Sequence, residues 1–325
     1  MKIMNIVNAI NDALDIKLNE EQNVVVYGED VGKEGGVFRV TENLQQKYGQ
    51  ERVFDSPLAE SAIAGTALGM AVGGLRPVIE MQFDGFVFPA FNQILSHIAR
   101  YRNRTRGKFN VPIVIRIPNG GGINALEHHS ESIEAFFAHI PGLKVVMPST
   151  PYDAKGLMIS SIESDDPIIF LEPKRLYRAI KQEVPEEKYK IPIGKAKIIQ
   201  EGTDVTIVTY GAMVREVQKA AVYAKQNGIS VEIIDLRTIY PIDKETIRKS
   251  LQKTGKIITV TESPKSFSVA SEIGQIAVEE AFLYLEAPPK RITGFDTIVP
   301  LPKGEHYYMV TPEMIYKGIL ETVKF

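Results

Sequence analysis

The feature that most constrains the fold is a regular alternation of short apolar runs with segments of helical periodicity. Residues 23–28 read Asn-Val-Val-Val-Tyr-Gly. Comparable apolar runs occupy residues 77–82, 112–117, 143–147 and 167–171. Segments with helical spacing lie between several of these runs, for example residues 86–100 and 152–162. Because short buried strands that alternate with helices are typical of a parallel sheet covered on both faces, the first half of the chain is predicted to be an α/β domain.

The alternation breaks after residue 173 and resumes near residue 203. Two prolines, Pro185 and Pro192, and the charged residues 186–188 interrupt the pattern. Strand-like and helix-like segments then alternate again up to residue 285, including a helix at residues 213–226 and a strand at residues 231–235. Since 325 residues exceed the length of one typical core,, we expect two doubly wound α/β domains. We place them at residues 1–180 and 203–325, with a linker at residues 181–202.

Composition excludes several classes of protein. The net charge of −2 and the isoelectric point near 6.3 argue against nucleic acid as a partner. No apolar run approaches the roughly 20 residues of a membrane span, and the amphipathic N-terminal segment does not resemble a signal peptide. These observations predict a cytoplasmic protein without membrane partners. The absence of cysteine excludes disulfides, thiolate metal sites and cysteine nucleophiles.

A glutamate, Glu60, precedes an apolar segment in which Gly65, Gly69 and Gly73 recur every four residues. The preceding Ser56-Pro57 predicts the start of a helix, because proline suits the first turn. The three glycines would share one face of this helix and predict close approach of a second helix. Glu60 is then either a functional carboxylate beside a tight contact or an ordinary capping residue, and this segment alone leaves both interpretations open.

Residues 118–130 form a second candidate, a loop that combines three glycines with the adjacent histidines His128 and His129. Adjacent histidines in a helix or strand point apart, so a shared metal ion is disfavoured. One of them could serve in proton transfer, although two polar loop residues without a role explain the pattern slightly better. No GxGxxG turn, P-loop or GxSxG elbow occurs, which disfavours a Rossmann dehydrogenase, a nucleotide hydrolase and a serine hydrolase.

Taken together, these segments resemble the β subunit of the thiamine-diphosphate-dependent decarboxylating component of 2-oxo acid dehydrogenase complexes. The similarity runs in colinear order over nearly the whole chain. The motifs that carry it lie at residues 27–32, 36–38, 52–60, 82–86, 129–132, 141–146, 153–157, 166–174 and 236–238. The resemblance implies a transketolase-like fold, with a pyrimidine-binding domain followed by a smaller C-terminal domain.

The resemblance also implies roles for individual residues. Glu60 matches the glutamate that contacts N1′ of the aminopyrimidine ring of thiamine diphosphate. Phe86 matches an aromatic residue that stacks on this ring, and Leu58 and Gln82 are nearby pocket residues. His129 matches a histidine placed where the lipoyl group approaches. The resemblance further implies a monovalent cation site, with K⁺ as the candidate ion, at Ile113, Ser161, Ile162, Ser164 and Asp166.

The chain lacks the Gly-Asp-Gly motif with which such enzymes hold Mg²⁺ and the diphosphate. The resemblance therefore implies half an active site, completed by a separate α subunit in an α2β2 heterotetramer with the cofactor shared between subunits. The glycine-striped helix would lie at a subunit interface. The C-terminal domain would bind the lipoyl acyltransferase, with Asp296 and the terminal carboxylate as candidate contacts.

The substrate is less constrained by the residues. The segment 171–178 favours a branched-chain 2-oxo acid, whereas residues 148–153 recur among pyruvate-type relatives, and an acetoin-cleaving enzyme is a further alternative. A self-sufficient transketolase-like enzyme is disfavoured by the missing diphosphate motif. A non-catalytic assembly subunit is the alternative from another class.

Overall fold

The computed structural model describes every residue from Met1 to Phe325. It divides into two compact units. The first unit comprises Met1–Asn119 and Phe136–Ile193, and the second comprises Gly120–Ala135 and Gly194–Phe325. The histidine-bearing segment 120–135 thus lies with the second unit, although it interrupts the sequence of the first. The domain boundaries at residues 1–180, 181–202 and 203–325 stay a prediction.

The first unit follows the predicted alternation. Its strands are β1 (Lys2–Met4), β2 (Val24–Gly28), β3 (Val53–Asp55), β4 (Arg76–Glu80), β5 (Val114–Asn119), β6 (Lys144–Val146), β7 (Ile168–Pro173) and β8 (Gln182–Val184). Its α-helices are α1 (Ile6–Glu20), α2 (Leu44–Tyr48), α3 (Glu60–Val72), α4 (Phe91–Gln93), α5 (Ala99–Arg104), α6 (Glu134–Ala138, which begins in the second unit) and α7 (Pro151–Ile162).

The main sheet of the first unit is parallel, in the order β6-β7-β5-β4-β2-β3. Its strands are buried along most of their length, as expected for a sheet covered on both faces. The chain passes from β2 to β3 on one side and returns to β4 on the other, so the strand order reverses at β2. Ligands of open α/β sheets bind at such a switch point, beyond the carboxyl ends of the strands.

The second unit repeats this architecture. Its strands are β9 (Lys197–Gln200), β10 (Val205–Thr209), β11 (Val231–Asp235), β12 (Thr238–Tyr240), β13 (Ile257–Val260) and β14 (Lys290–Ile292). Its helices are α8 (Met213–Gln226), α9 (Lys244–Thr254), α10 (Val269–Ala281), α11 (Glu305–Tyr308) and α12 (Pro312–Val323). The sheet order is β14-β13-β10-β11-β9, parallel except for β9. The α/β prediction is confirmed for both units, and the structure adds β8 and β9 within the expected linker.

The predicted start of the glycine-striped helix is wrong. Helix α3 begins at Glu60, not at Ser56-Pro57. The backbone N–H of Ser56 still donates to the carbonyl of Gly28 at 2.9 Å, so the pairing of β3 with β2 extends this far. Moreover, a residue before proline is biased towards extended backbone. The chain therefore turns into the helix three residues after Pro57, at Glu60.

The predicted helix over residues 86–100 is broken into several pieces. A 3-10 helix spans Asp84–Ala90, followed by α4, a π-helical turn at Ile94–Ile98 and α5. Pro89 lies inside the 3-10 helix, where its missing N–H prevents a regular hydrogen-bonding pattern. Among all helices, none combines the length and the apolar character that crossing a bilayer requires.

Candidate active site

The carboxyl ends of β2 and β4 bring together the polar residues that follow these strands. Asp30 comes shortly after β2, and Gln82 comes shortly after β4. The Gln82 side-chain amide donates to a carboxylate oxygen of Asp30 at 2.8 Å. This contact joins the two loops across the switch point of the sheet. Gln82 therefore lies beyond the carboxyl end of β4, where ligands of open α/β sheets bind, and its expected contact with the cofactor stays a prediction.

Glu60 occupies the first turn of α3, a position that favours a negative charge because the helix dipole is positive there,. The preceding residue, Ala59, makes no side-chain capping bond. Glu60 is half-buried, and Leu58 is 82 % exposed. The structure thus offers a carboxylate beside an uncovered apolar side chain. The expected cofactor contacts of Leu58 and Glu60 stay predictions.

Glu29 is a member of this cluster to which the sequence analysis assigned no role. It directly follows β2 and is 5 % exposed, and its Oε1 has no hydrogen-bond partner. Burial raises the pKa of Glu29, and the negative charges of Glu60 and Asp30 raise it further. A buried carboxylate that lacks a partner is costly. The sequence feature that could have indicated a role for Glu29 is its position directly after a buried strand.

Phe86 lies in the 3-10 helix that follows Gln82. Its ring packs edge-on against Phe83, with 5.7 Å between ring centroids. Asp84, in the same turn, forms a fully buried ion pair with Lys174, whose Nζ lies 2.6 Å from a carboxylate oxygen. This Nζ also lies 5.5 Å from the centroid of the Phe83 ring. The ion pair and the ring contacts hold the turn that carries Phe86.

A buried network of charges underlies the same end of the sheet, and the sequence analysis did not find it. Arg116 on β5 is 0 % exposed. Its guanidinium donates to Glu172 at 2.7 and 3.0 Å and to Glu80 at 2.6 Å, and the Tyr177 hydroxyl donates to Glu172 at 2.6 Å. Breaking such a buried network by removing one partner is strongly destabilising. An arginine within an apolar strand was the available signal.

His129 belongs to the second unit. Residues Glu127–His129 form one 3-10 turn, and the His128 and His129 rings lie 4.3 Å apart between centroids. The two rings thus lie close together in a 3-10 turn, where the expectation for a regular helix or a strand does not apply. The Nδ1 atom of His129 is buried. Its expected role in proton transfer stays a prediction.

The five carbonyl groups of the expected cation site already accept hydrogen bonds within the first unit. Arg76 donates from one nitrogen to the carbonyls of Ile162 and Ser164, at 3.0 and 3.1 Å. The remaining donors are the backbone N–H of Ile168 to Ile113, the N–H of Ser164 to Ser161, and the Ser164 hydroxyl to Asp166. The Asp166 carboxylate binds Lys144 at 2.9 Å and also Arg102. Each of these carbonyl oxygens keeps a second lone pair, and the expected K⁺ site stays a prediction.

The residues around Glu60 do fit an aminopyrimidine ring. A carboxylate can accept a hydrogen bond from a ring N–H, an aromatic side chain can cover a ring face, and exposed Leu58 offers apolar contact. The unpartnered Oε1 of buried Glu29 shows that the cluster has unused hydrogen-bonding capacity.

In the second unit, the Asp296 carboxylate accepts two hydrogen bonds from Ser266, both at 2.8 Å, and Phe325 is 77 % exposed.

Two family models match this chain, each over a different range of residues. The family model described as "Transketolase, pyrimidine binding domain" matches residues 2–180. The model described as "Transketolase, C-terminal domain" matches residues 194–315. A solved structure titled "Split gene transketolase, inactive beta4 tetramer" superposes with a TM-score of 0.82 at 20 % identity, covering 99 % of this chain and 98 % of that chain. This likeness concerns the fold alone and confirms the transketolase-like prediction.

Closer relatives cover the full length. The chain is 58 % identical over 324 residues to a protein of Acholeplasma laidlawii named "Pyruvate dehydrogenase E1 component subunit beta", covering 100 % of this chain and 99 % of the relative. Proteins of the same name from Mycoplasma genitalium and Staphylococcus aureus (strain MW2) are 53 % and 50 % identical. These alignments cover 99 % of this chain and 98 % of the M. genitalium relative, and 100 % of both chains for S. aureus. The branched-chain preference expected from residues 171–178 receives no support from these names.

Proposed function

Since this chain belongs to the family of β subunits of the decarboxylating E1 component of 2-oxo acid dehydrogenases, we propose that it forms a pyruvate dehydrogenase E1 with a separate α chain. The enzyme would decarboxylate pyruvate with thiamine diphosphate and transfer the acetyl group to a lipoyl group. The observation that carries the proposal is Glu60, placed at the first turn of α3 within the match to the pyrimidine-binding domain. The full-length relatives named for pyruvate support this substrate over branched-chain acids or acetoin.

Thiamine diphosphate, when bound, supplies the nucleophilic carbon and the electron sink for removing CO₂ from a 2-oxo acid. Glu60 would accept a hydrogen bond from N1′ of the aminopyrimidine. Phe86 would cover one face of this ring, with Gln82 and Leu58 as further contacts. The contacts that support these roles are the buried ion pair and ring packing that hold the Phe86 turn, and the bond that fixes Gln82 to Asp30.

His129 would act in the second half of the reaction, by positioning the lipoyl group or transferring a proton during reductive acylation. Its location in a glycine-rich loop supports this role, since binding loops supported by a rigid scaffold are common in enzymes. The α chain would hold Mg²⁺ and the diphosphate in an α2β2 heterotetramer. The acyltransferase would bind the second unit, where Asp296 and the carboxylate of Phe325 are candidate contacts.

The test uses the tetramer assembled with the α chain and compares Glu60→Gln with the wild type. Loss of the carboxylate should lower the rate of pyruvate decarboxylation, measured with an artificial electron acceptor, by roughly 100-fold or more, within the range for general acid–base groups. Glu51→Gln, at an exposed position of the same unit, is the matched control and should keep wild-type activity.

Two outcomes would contradict the proposal. Full activity of the Glu60→Gln tetramer would favour a non-catalytic assembly subunit. A wild-type tetramer that turns over 3-methyl-2-oxobutanoate faster than pyruvate would reject the proposed substrate while leaving the role of Glu60 intact.

A further inference from the structure

The loop that carries His129 has a backbone that needs external support. Gly120 and Gly122 have φ values of 85°, and Asn124 has φ of 57°. Asn tolerates this left-handed conformation better than most residues, yet it remains an uncommon and costly one. The loop closes on itself at its base, where the N–H of Gly120 donates to the carbonyl of Glu131 at 2.9 Å. Other contacts must hold the part in between.

Glu305, which belongs to the second unit as the loop does, provides this support. One of its carboxylate oxygens accepts the N–H of Gly122 at 2.7 Å, and the other accepts the N–H of Asn124 at 2.8 Å. The Glu305 residue is 3 % exposed. Hydrogen bonds to a carboxylate are roughly twice as strong as those between neutral groups, and burial shields them from water. Both oxygens thus fix the two amides that flank Ile123.

The two ends of the loop are held by the same unit. A Cβ atom at position 120 would lie 2.6 Å from an oxygen of Glu262, so the carboxylate packs directly against Gly120. At the other end, Glu134 is buried and accepts a hydrogen bond from the Tyr210 hydroxyl at 2.9 Å. Tyr210 and Glu262 follow the adjacent parallel strands β10 and β13. The ends of the loop are therefore anchored at the switch point of the second sheet.

We propose that Glu305 is a positioning residue for His129: its carboxylate sets the path of the loop 120–131 and thereby the place of the histidine. The inference rests on the proposed role of His129 in acyl transfer to the lipoyl group. In this role Glu305 touches neither the substrate nor the cofactor. Substitution of Glu305 changes acyl transfer, because the path of the loop 120–131 depends on its carboxylate. The residues around Glu60 do not depend on it.

The experiment uses the α2β2 enzyme with a lipoylated domain as acceptor. Glu305→Gln keeps the size of the side chain but replaces one acceptor with an N–H₂ group that faces a backbone N–H. Glu305→Asp keeps the charge on a shorter side chain and serves if the amide variant folds poorly. Glu313→Gln, at an exposed position of the neighbouring α12, is the matched control, and His129→Asn is the reference for loss of the histidine.

Three quantities are compared between the variants: the rate of lipoyl acylation, the rate of decarboxylation, and the hydrogen exchange of backbone amides. Glu305→Gln should lower the rate of lipoyl acylation roughly 10- to 100-fold, as misplacement of a reacting group does, while decarboxylation with the artificial acceptor stays near the wild-type rate. Hydrogen exchange of the amides in residues 122–131 should become faster, with exchange in β2 and β4 unchanged. Glu305→Asp should fall between Glu305→Gln and the wild type in both respects.

The inference is overturned if loop exchange is unchanged in Glu305→Gln, or if both rates fall equally. The proposed function is judged separately. If His129→Asn acylates the lipoyl domain at the wild-type rate, the role of His129 is rejected, and faster loop exchange in Glu305→Gln would still establish the anchor. If His129→Asn is impaired and Glu305→Gln is not, only the inference fails.

Discussion

At the scale of single residues, Glu29 lies where a charged side chain lowers the stability of the fold. Its carboxylate is buried, one oxygen lacks a partner, and Glu60 and Asp30 add negative charge around it. A residue chosen for stability alone would not carry a charge here. Such costs are typical of functional sites, where stabilising substitutions tend to lower activity. Glu29 is therefore expected to matter for the cofactor pocket formed with the α chain.

The prediction for Glu29→Gln concerns the dependence of stability on pH. The pKa of Glu29 is raised in the folded chain, so the folded state binds more protons than the unfolded state above the ordinary pKa. Stability of the wild type therefore falls as pH rises through this window. Glu29→Gln removes this loss and should raise the melting temperature of the isolated chain at pH 8, with a smaller gain at pH 5.

Thermal unfolding at the two pH values checks this, with exposed Glu34→Gln as the control. In the assembled enzyme the same substitution should lower activity. A Glu29→Gln chain that is less stable than the wild type at pH 8 would contradict the prediction.

At the scale of elements, α1 and α7 pack together and are joined by a cluster of charges. The Lys17 side chain on α1 is 1 % exposed. Its ammonium binds Glu163, which follows α7, at 2.9 Å, Glu20 at 3.2 Å, and also Glu21. The three carboxylates come close enough to resemble a metal site, but the Lys17 ammonium already lies among them. Their arrangement is therefore explained by an ion pair network between helices.

The prediction for Glu163→Gln follows from this cluster. Burial alone would raise the pKa of Glu163, but its bonds to Lys17, Lys190 and Lys188 outweigh it and lower the pKa to about 2. The stabilising contribution is thus present above the ordinary value of 4.5 and is lost as pH falls towards 2,. Glu163→Gln should destabilise the chain at pH 7 by about 1–3 kcal/mol, with a difference that shrinks below pH 4.5.

Urea unfolding across this pH range measures the difference. Glu245→Gln is the control, since its pairs with Arg248 and Lys249 are exposed and such surface pairs contribute little to stability. Equal effects of the two substitutions at pH 7 would show that the cluster does not stabilise the helix pair.

At the scale of the whole molecule, the chain has surfaces that its own fold leaves uncovered. Helix α3 exposes Ala62, Thr66 and Gly69, and a Cβ atom added at Gly69 would meet nothing within 4 Å. The close helix contact predicted from the glycines is therefore absent at Gly69, whereas a Cβ atom at Gly65 would lie 3.8 Å from Gln93 of α4. Together with the missing Gly-Asp-Gly motif, this agrees with the proposed assembly with an α chain, in which α3 would lie at the subunit interface.

The prediction for the whole molecule is that the isolated chain lacks turnover. Without the α chain it should neither decarboxylate pyruvate nor bind thiamine diphosphate with Mg²⁺ tightly, because the proposed site for Mg²⁺ and the diphosphate belongs to the α chain. Titration calorimetry of each chain and of the mixture, followed by size-exclusion chromatography, measures binding and assembly. Tight binding or turnover by this chain alone would reject the shared site and favour a self-sufficient enzyme.

The order and type of most elements could be read from the sequence, because strand and helix periodicities are local. Helix α8 and strand β11 have the predicted bounds, Met213–Gln226 and Val231–Asp235. The local pattern failed where long-range contacts or proline override it, as at the start of α3 and in the broken helix after Phe86.

What only the tertiary structure decided is which distant residues meet. Glu305 binds amides 181 and 183 residues earlier in the chain, and Arg116 is neutralised by Glu80 and Glu172 on neighbouring strands. No periodicity encodes such pairs, since they depend on strand order and on the register of the sheets. The sequence by itself thus determined the α/β class of both units, and it predicted half of a cofactor site. The fold determined which carboxylates are buried, which are paired, and which hold the histidine loop.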